Sequence, residues 1–600
     1  MQAVKSYNPL LLSVLLLGYS HLHAQGITTN SAISKYDNSY EIFQPSVSRH
    51  GMVATEQRLA SQVGAEILKQ GGNATDAAVA IGFTLAVVLP NAGNLGGGGF
   101  MLVHDAKTAE TEAIDFRETA PSSASHDMYL DASGKVINGK STITPFAVGV
   151  PGTVAGLTYA LEKHGSLPIS SVIGPAIRLA EEGFIVSPVL AEQFKSQRDH
   201  LGRWPGSRSV FFKTKGDHQV CQPDACDLSQ VEPLEDGDRL KQPDLAKTLR
   251  LIADKGAAAF YQGEVAQKIV NEVNQDGNVM SLDDLAHYQI QSRQPVRGTY
   301  RGVEVLSMPA PSSGGIHLIE MLNLLEYFQL SESGFGSAQS VHLLAEAARL
   351  AYADRSEYLG DPAFYKVPQA GLTSKGYAQS LIKKINPNKA TPSKEVKPGL
   401  PLPYESNQTT HFSVMDKQGN VVSTTYTLNL NFGSGIVARG TGVLLNNEMD
   451  DFSVKPGVPN AFGLVGGRAN AVEAGKRPLS SMTPVIAFKN GKPWIATGSP
   501  GGSRIITTVL QNLVDVIDYK MNIAEAAAMP RMHHQWIPDV LRVERGFSPD
   551  TLKILKGMGH DVKVQPTMGR IQTVQFENGK YWGASDPRNP DGAAIGVEAQ

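Results

Sequence analysis

Hydrophobic and polar residues alternate along two neighbouring stretches about two-thirds of the way through the chain. The first stretch, residues 409–416, places Thr410, Phe412 and Val414 on one side and polar residues on the other. A Lys-Gln-Gly-Asn turn follows, and residues 421–429 continue with β-branched and aromatic residues. Alternation with a period of two on either side of a glycine-containing turn predicts a β-hairpin.

A period near 3.6 predicts helices in the first two-thirds of the chain. The first covers residues 54–70, and the two glycines that follow are typical of a helix C-terminus. Asn73 and Thr75 offer N-caps for a second helix, whose apolar stretch, 77–90, is too short to span a membrane and predicts a buried helix. Further helices are predicted over residues 151–164, 171–183, 240–255, 262–275 and 336–358. Because strands dominate the last third, the pattern indicates an α+β protein.

Length and charge narrow the class of protein. With 600 residues, the chain is expected to fold as several domains or as one large multilayer domain. A net charge of −3 disfavours nucleic-acid binding, which usually requires an excess of basic residues.

The N-terminus has the features of a secretory signal. Lys5 precedes the apolar residues 9–19, and Ala24 is a small residue near the expected cleavage point. We therefore predict a signal peptide over residues 1–24 and a periplasmic or secreted protein. The alternative is an N-terminal anchor that stays attached.

Cys221 and Cys226 are the two cysteines of the chain. They lie in a polar loop, and in an oxidising compartment such a pair is expected to form a disulfide. A metal site would need further soft ligands near them, so no metal is predicted.

Residues 134–141 match the phosphate-loop formula G-x4-G-K-[ST]. That motif binds phosphate only between a buried strand and a helix. Here a polar turn precedes the stretch and Pro145 follows it closely, so we interpret it as a turn without a nucleotide.

Thr409 stands where a polar connector containing proline meets the first strand of the predicted hairpin. A threonine hydroxyl is a weak nucleophile until a base lies beside it, and a free N-terminal amine on the same residue supplies that base. Cleavage of the bond between Gln408 and Thr409 would therefore place nucleophile and base in one residue. Judged by this pattern alone, Thr409 can equally be an ordinary strand residue.

Several blocks of the sequence resemble, in the same order, the γ-glutamyltranspeptidase (glutathione hydrolase) family. They are GGNATDAAVA (71–80), NLGGGGFM (94–101), DFRETAP (115–121), NQTTHFSVMDKQGN (407–420), TTYTLN (424–429), NNEMDDFS (446–453), KRPLSSMTP (476–484) and GSPGGSRIITT (498–508). The resemblance implies an N-terminal-nucleophile hydrolase fold, a four-layer αββα sandwich built from two autoprocessed subunits. Residues 25–408 would form the large subunit and residues 409–600 the small, catalytic one.

The resemblance also implies a role for each candidate residue. Thr409 would attack Gln408 during processing and the substrate afterwards, and a hydrogen bond from Thr427 would support it. Backbone N–H groups of Gly501 and Gly502 would stabilise the oxyanion. The carboxylate of an α-amino acid would bind Arg117, Ser480 and Ser481, and its ammonium group would bind Asn429, Glu448 and Asp451.

Residues 456–470 match the lid loop of bacterial members. Phe462 stands where those members carry a tyrosine. In those members the tyrosine hydroxyl forms a hydrogen bond with an asparagine, and Asn429 is the matching residue in this chain. Phenylalanine cannot make that bond, so the lid is expected to be held by packing alone or to open more readily.

Together these features predict an exported γ-glutamyltranspeptidase that needs no cofactor. It would cleave glutathione and related donors through a γ-glutamyl-Thr409 ester and transfer the acyl group to water or to an amino acid or peptide. Its partners would be these small molecules, with no nucleic acid and no membrane after signal removal, and its two subunits would form a heterodimer. One alternative is a cephalosporin or glutaryl acylase of the same fold, which Arg117, Glu448 and Asp451 disfavour. The other is an unprocessed binding protein for γ-glutamyl compounds.

Overall fold

The computed structural model of the protein describes residues 42–215, 217–220, 229–397, 408–455 and 468–598. All elements given below belong to the unit that begins at Pro45. The predicted signal peptide, the cysteines Cys221 and Cys226, and Phe462 of the expected lid lie outside the described residues.

Two seven-stranded antiparallel sheets form the centre of the molecule. The first sheet contains, in spatial order, Gln291–Arg293, Glu110–Phe116, Gly98–Asp105, Val421–Asn429, Gln408–Asp416, Gly51–Thr55 and Ala593–Gly596. The second contains Ser46–Ser48, Lys580–Ser585, Gln572–Glu577, Lys492–Gly498, Val485–Lys489, Val303–Ser307 and Val296–Tyr300. Smaller sheets pair Val437–Ala438 with Val443–Leu444, Phe184–Ile185 with Arg239–Leu240, Phe212–Thr214 with Asp217–Val220 and Val231–Pro233, and Leu541–Glu544 with Met532–His533 and Val562–Gln565.

The predicted hairpin is confirmed and lies in the middle of the first sheet. Its strands are Gln408–Asp416, which we call the nucleophile strand after the role predicted for Thr409, and Val421–Asn429. The first sheet packs face to face on the second, and polar groups cross between them. Ser413 donates a hydrogen bond of 3.2 Å to the carbonyl of Gln572, for example. Both faces of the hairpin are therefore buried.

Helices cover the outer face of each sheet and complete the predicted four-layer αββα sandwich. Arg58–Lys69 and Ala74–Val88 pack on the first sheet, whereas Gly314–Leu325 and Arg504–Ile517 pack on the second. The other α-helices are Thr153–His164, Ile169–Glu182, Pro188–Ser196, Arg198–Leu201, Pro205–Phe211, Pro243–Lys255, Ala258–Tyr261, Gly263–Val273, Leu282–Ala286, Leu330–Ser333, Ala338–Tyr358, Gln369–Leu372, Lys375–Leu381, Ile523–Ala528 and Pro549–Gly557. Short 3-10 helices span Pro145–Ala147, Ile382–Lys384, Glu448–Asp451 and Arg468–Asn470.

The helices predicted from the sequence are present with small differences at their ends. Asn73 caps the second helix, since its side chain accepts hydrogen bonds from the backbone N–H groups of Thr75 and Asp76. That helix is buried along its whole length, as predicted. Residues 134–141 form mostly turns, with no strand directly before them and no α-helix directly after them, so the match to the phosphate-loop formula has no structural meaning. Within the described ranges, no helix is long and apolar enough to cross a membrane.

Close packing against helix Thr153–His164 fixes the position of Phe116, the residue that precedes Arg117. A Cβ atom added at Gly156 would overlap the buried ring of Phe116. Gly156→Ala should therefore destabilise the fold by about 1–3 kcal/mol, the usual cost of overpacking.

Gly376 in helix Lys375–Leu381 provides a control, because an added Cβ there meets nothing within 4 Å. Gly376→Ala should stabilise the protein by about 0.4–1 kcal/mol. Urea unfolding of both variants measures the difference, and equal stabilities would contradict the packing described for Gly156.

Candidate active site

Thr409 lies at the start of the nucleophile strand and is only 4% exposed. The pairing register shifts by one residue at this point, so that Thr427 and Leu428 both lie opposite Thr409. Such a bulge bends the strand and re-aims its side chains. The hydroxyl of Thr427 accepts a hydrogen bond of 2.9 Å from the backbone N–H of Asn429. The structure thus brings Thr427 beside Thr409, whereas its support of the nucleophile stays a prediction.

Residues 498–502, which we call the glycine loop, connect a central strand of the second sheet to helix Arg504–Ile517. Gly501 and Gly502 have φ values of +133° and +60°, which side chains of L-residues rarely allow. Their N–H groups lie near the positive end of the helix dipole. This conformation is suited to hold a developing negative charge.

The first residue of the glycine loop, Gly498, packs directly against His411, a side chain of the nucleophile strand. A Cβ atom added at Gly498 would overlap the ring of His411. The His411 ring is fixed by Thr425, whose Oγ1 lies 2.8 Å from Nδ1, and by Ser413, whose Oγ lies 2.9 Å from Nε2. Burial lowers the pKa of His411 to about 3, so the ring is neutral and acts as a spacer between the two elements.

Arg117 is buried and surrounded by acceptors. Its Nε donates a 3.1 Å hydrogen bond to the carbonyl of Pro478, and Nη2 donates one of 3.0 Å to the carbonyl of Leu479. The same guanidinium forms ion pairs with Glu448 and Asp451. Although burial opposes it, these carboxylates hold the pKa of Arg117 above its usual value. The structure therefore brings together three of the predicted substrate-binding residues.

Three buried oxygen atoms of this group have no hydrogen-bond donor among the described residues. They belong to Asn429 (Oδ1), Glu448 (Oε2) and Asp451 (Oδ1). Asn429 has a φ of +75°, and its amide nitrogen donates to the carbonyl of Asn447 at 2.9 Å. Burial raises the pKa of both Glu448 and Asp451. Buried acceptors without donors are costly, which suits a site that binds a group with several N–H donors.

A model of the family described as gamma-glutamyltranspeptidase matches residues 60–596. The chain belongs to this family. A glutathione hydrolase proenzyme from Escherichia coli (strain K12) is 52% identical over 563 residues, which are 94% of each chain.

Solved structures of related proteins share the architecture. Cephalosporin acylase from Bacillus halodurans aligns with a TM-score of 0.81 and 27% identity, covering 95% of this chain and all of the other. A γ-glutamyltranspeptidase chain from Helicobacter pylori aligns with a TM-score of 0.54 and 46% identity, over 57% of this chain and 93% of that one. These likenesses confirm the N-terminal-nucleophile hydrolase fold.

The candidate site also contains Arg355, which the sequence analysis did not single out. Arg355 is buried in helix Ala338–Tyr358, donates to Ser481 at 3.2 Å and donates to Ser313 at 2.8 Å. Ser313 in turn donates to the carbonyl of Ser480 at 2.8 Å. Arg355 thereby holds both predicted serines in place. The sequence signal that could have identified Arg355 was a charged residue within the alanine-rich part of the predicted helix 336–358.

Glu118 is a second residue that the sequence analysis passed over. It is fully buried and lies next to Arg117, with 3.9 Å between its Oε2 and Nη1 of the arginine. Burial raises the pKa of Glu118 to about 8, and the guanidinium opposes that shift. Together with Glu448 and Asp451, it surrounds one buried cation with three acidic groups. At neutral pH a carboxyl group with a pKa of about 8 is mostly protonated, so Glu118 can donate a hydrogen bond as well as accept one.

Elsewhere, His342, Glu346 and His560 form a buried cluster whose side-chain composition could suit a metal ion. His342 Nδ1 and His560 Nε2 lie 2.8 Å apart, which is a direct hydrogen bond. Glu346 is paired with Arg349 at 3.1 Å. Because the two histidines bond to each other and Glu346 pairs with Arg349, we interpret the cluster as part of a hydrogen-bond network, and the absence of a metal requirement stays a prediction.

The lowered pKa of His411 makes the fold sensitive to acid. Between about pH 6.5 and pH 3 the unfolded chain binds a proton at His411 that the folded chain does not, so stability falls as the pH falls. His411 alone accounts for about 2 kcal/mol of that loss at pH 5. Burial also lowers the pKa of His534 to about 4 and of His560 to about 3, which adds to the loss.

His411→Asn keeps a polar side chain at this position without the titration. The difference between its unfolding free energies at pH 8 and pH 5 should be smaller than that of the unsubstituted protein. Urea unfolding at both pH values measures the change, and equal differences would show that His411 does not titrate in this way.

Proposed function

We propose that this protein is an exported γ-glutamyltranspeptidase that cleaves the γ-glutamyl amide of glutathione and related compounds. It transfers the γ-glutamyl group to water or to the amine of an amino acid or peptide. The observation that carries the proposal is the buried group of Arg117, Glu448 and Asp451, in which a cation and unpaired oxygens lie together. The name of the glutathione hydrolase relative supports the same substrate.

The charges of the site match both ends of an α-amino acid. The guanidinium of Arg117 binds the carboxylate with two parallel N–H groups, a geometry that lysine cannot provide. The unpaired oxygens of Asn429, Glu448 and Asp451 accept from the ammonium group, which carries three donors. Substrate binding therefore exchanges the ion pairs within the site for pairs with the ligand. An acyl group without an α-ammonium leaves these oxygens unpaired, which disfavours an acylase of the same fold.

Processing creates the catalytic group. The hydroxyl of Thr409 attacks the carbonyl carbon of Gln408, the peptide bond shifts to an ester, and water hydrolyses that ester. The amine released on Thr409 has an ordinary pKa of about 8, which burial lowers towards neutrality. It then serves as the general base of the mature enzyme.

Catalysis repeats the same chemistry on the substrate. Thr409 attacks the γ-carbonyl carbon while its amine takes the hydroxyl proton, and N–H groups of Gly501 and Gly502 stabilise the oxyanion. Donors of this kind contribute about 2.7–4 kcal/mol each to transition-state stabilisation. The proton passes to the departing amine, and the γ-glutamyl ester remains. Water or an acceptor amine then attacks that ester and regenerates Thr409.

The two subunits, residues 25–408 and 409–600, remain one body after cleavage. The first sheet interleaves them, since Gly98–Asp105 and Gly51–Thr55 of the large subunit flank the hairpin of the small one. Separation would break hydrogen bonds along both edges of the hairpin. We place the heterodimer in the periplasm or outside the cell, because residues 1–24 have the features of a secretory signal.

Autocleavage is the first test, because an unprocessed binding protein would remain one chain. Purified protein should yield two pieces on a denaturing gel, and N-terminal sequencing should find Thr409 first in the smaller one. Thr409→Ala should stay intact, whereas Thr409→Ser keeps a hydroxyl and should still be cleaved, although more slowly. A different terminus on active protein would overturn this mechanism.

Recognition of both substrate charges is the second test. Arg117→Lys and Asp451→Asn each remove a charge-assisted hydrogen bond worth about 1.5–3 kcal/mol, so KM for γ-glutamyl donors should rise by roughly 10- to 100-fold. Arg439→Lys is a suitable control, because Arg439 pairs with Glu272 at 2.8 Å and contributes nothing to this site. An unchanged KM in processed Arg117→Lys would show that the guanidinium does not bind the carboxylate.

A further inference from the structure

Glu56 is a fully buried carboxylate that the catalytic scheme does not use. It follows strand Gly51–Thr55, which pairs with the nucleophile strand so that Thr55 lies opposite Phe412. The next position places the carboxylate against the backbone of His411, whose N–H points to Oε1 at 3.4 Å. Glu56 therefore touches the nucleophile strand two residues after Thr409.

The other carboxylate oxygen of Glu56 is paired with Arg570. The distance from Oε2 to Nε of Arg570 is 2.8 Å, and the contact is an ion pair rather than a well-aligned hydrogen bond. Arg570 is 24% exposed, whereas Glu56 is not exposed at all. Burial raises the pKa of Glu56, and Arg570 opposes this shift.

Arg570 also contacts the glycine loop through its backbone. Its N–H donates a 2.8 Å hydrogen bond to Ser499 Oγ, within that loop. The preceding residue, Gly569, packs against Gly501, since a Cβ atom added at Gly501 would lie 3.4 Å from its Cα. The segment 569–570 thus supports the loop that carries the oxyanion donors.

We propose that the ion pair between Glu56 and Arg570 positions Thr409 relative to the N–H groups of Gly501 and Gly502. The pair is a continuous link from the nucleophile strand, through the Glu56 carboxylate and the Arg570 guanidinium, to the glycine loop. Thr409 lies in the first sheet and the oxyanion donors lie in the loop after a strand of the second sheet, so their separation depends on contacts of this kind. Glu56 and Arg570 are positioning residues, because neither touches the reacting atoms. The inference rests on the function proposed above.

Loss of the pair should affect the chemical step rather than substrate binding. A displacement of about 1 Å at the reacting atoms can cost roughly 100-fold in rate. Glu56→Gln keeps an oxygen that can accept from His411 but removes the charge, and its kcat should fall by about 10- to 100-fold. KM for γ-glutamyl-p-nitroanilide should change by less than about twofold, because the contacts to the substrate are intact.

Arg570→Gln tests the same link from its partly exposed side, where folding is less at risk. It should lower kcat to a similar extent. Because the two residues act as one pair, the double variant Glu56→Gln/Arg570→Gln should be no slower than the slower single variant. A double variant whose loss equals the product of the single losses would show that the residues act separately, which would overturn the proposal.

The pair formed by Arg301 and Asp518 is a matched control. Its ion pair is 3.1 Å long, with side chains 22% and 4% exposed, and it contacts neither the nucleophile strand nor the glycine loop. Asp518→Asn should lower the thermal midpoint about as much as Glu56→Gln while leaving kcat within about twofold. An equal loss of kcat in Asp518→Asn would mean that general destabilisation explains the effect.

The outcomes also separate this inference from the proposed function. If the unsubstituted, processed protein does not release p-nitroaniline from γ-glutamyl-p-nitroanilide, the proposed function fails. If it turns over and both single variants match it in kcat, the function stands and the positioning role is wrong. A raised KM with unchanged kcat in both variants would likewise refute positioning, since the pair would then act on substrate binding.

Discussion

The position of the nucleophile strand in the middle of the first sheet is the constraint on which the site depends. From Phe412 to Met415 the strand is paired on both edges, and its residues 409–416 are all buried, so the segment that directly follows Thr409 is firmly held. Buried strands of this kind belong to the most protected part of a fold. The nucleophile proposed at the start of this strand would therefore stay anchored by it after the proposed cleavage.

The same burial sets the electrostatics of the site. Arg117 and the acidic side chains around it are removed from water, and a buried charge is costly unless partners compensate for it. In this group the acids outnumber the arginine, and some of their oxygens lack donors among the described residues. A zwitterion supplies one charge of each sign and satisfies both kinds of group. The proposed preference for an α-amino acid end therefore rests on a ligand that offers a partner to the cation and to the acceptors alike.

The sequence predicts those features that local pattern determines. The hairpin follows from alternation and its turn, the second helix from the Asn73 cap, and the αββα arrangement from the family resemblance. Helix Gly314–Leu325 was not predicted, because it is buried all round and leaves no polar stripe to mark its period. Glu56 was missed because its importance arises only from residues far away in the chain, whereas Arg355 had a local signal, its place in an alanine-rich helix, that the sequence analysis did not use. Glu56 contacts Arg570 more than five hundred positions later, and no local pattern records that pairing.

The pairing of strands that are distant in the chain also explains why folding should precede cleavage. The sheet that holds Thr409 contains strands from both sides of the cleavage point, so it has to form before cleavage if the pieces are to assemble correctly. In the intact chain, Gln408 and Thr409 are joined to the connector, and strand pairing already fixes the hydroxyl beside the bulge at Thr427 and Leu428. In the proposed mechanism, folding therefore builds the surroundings of Thr409 first, and the reaction that releases its amine takes place within a finished site. The mature enzyme would then use for its substrate the same geometry that cleaved the chain.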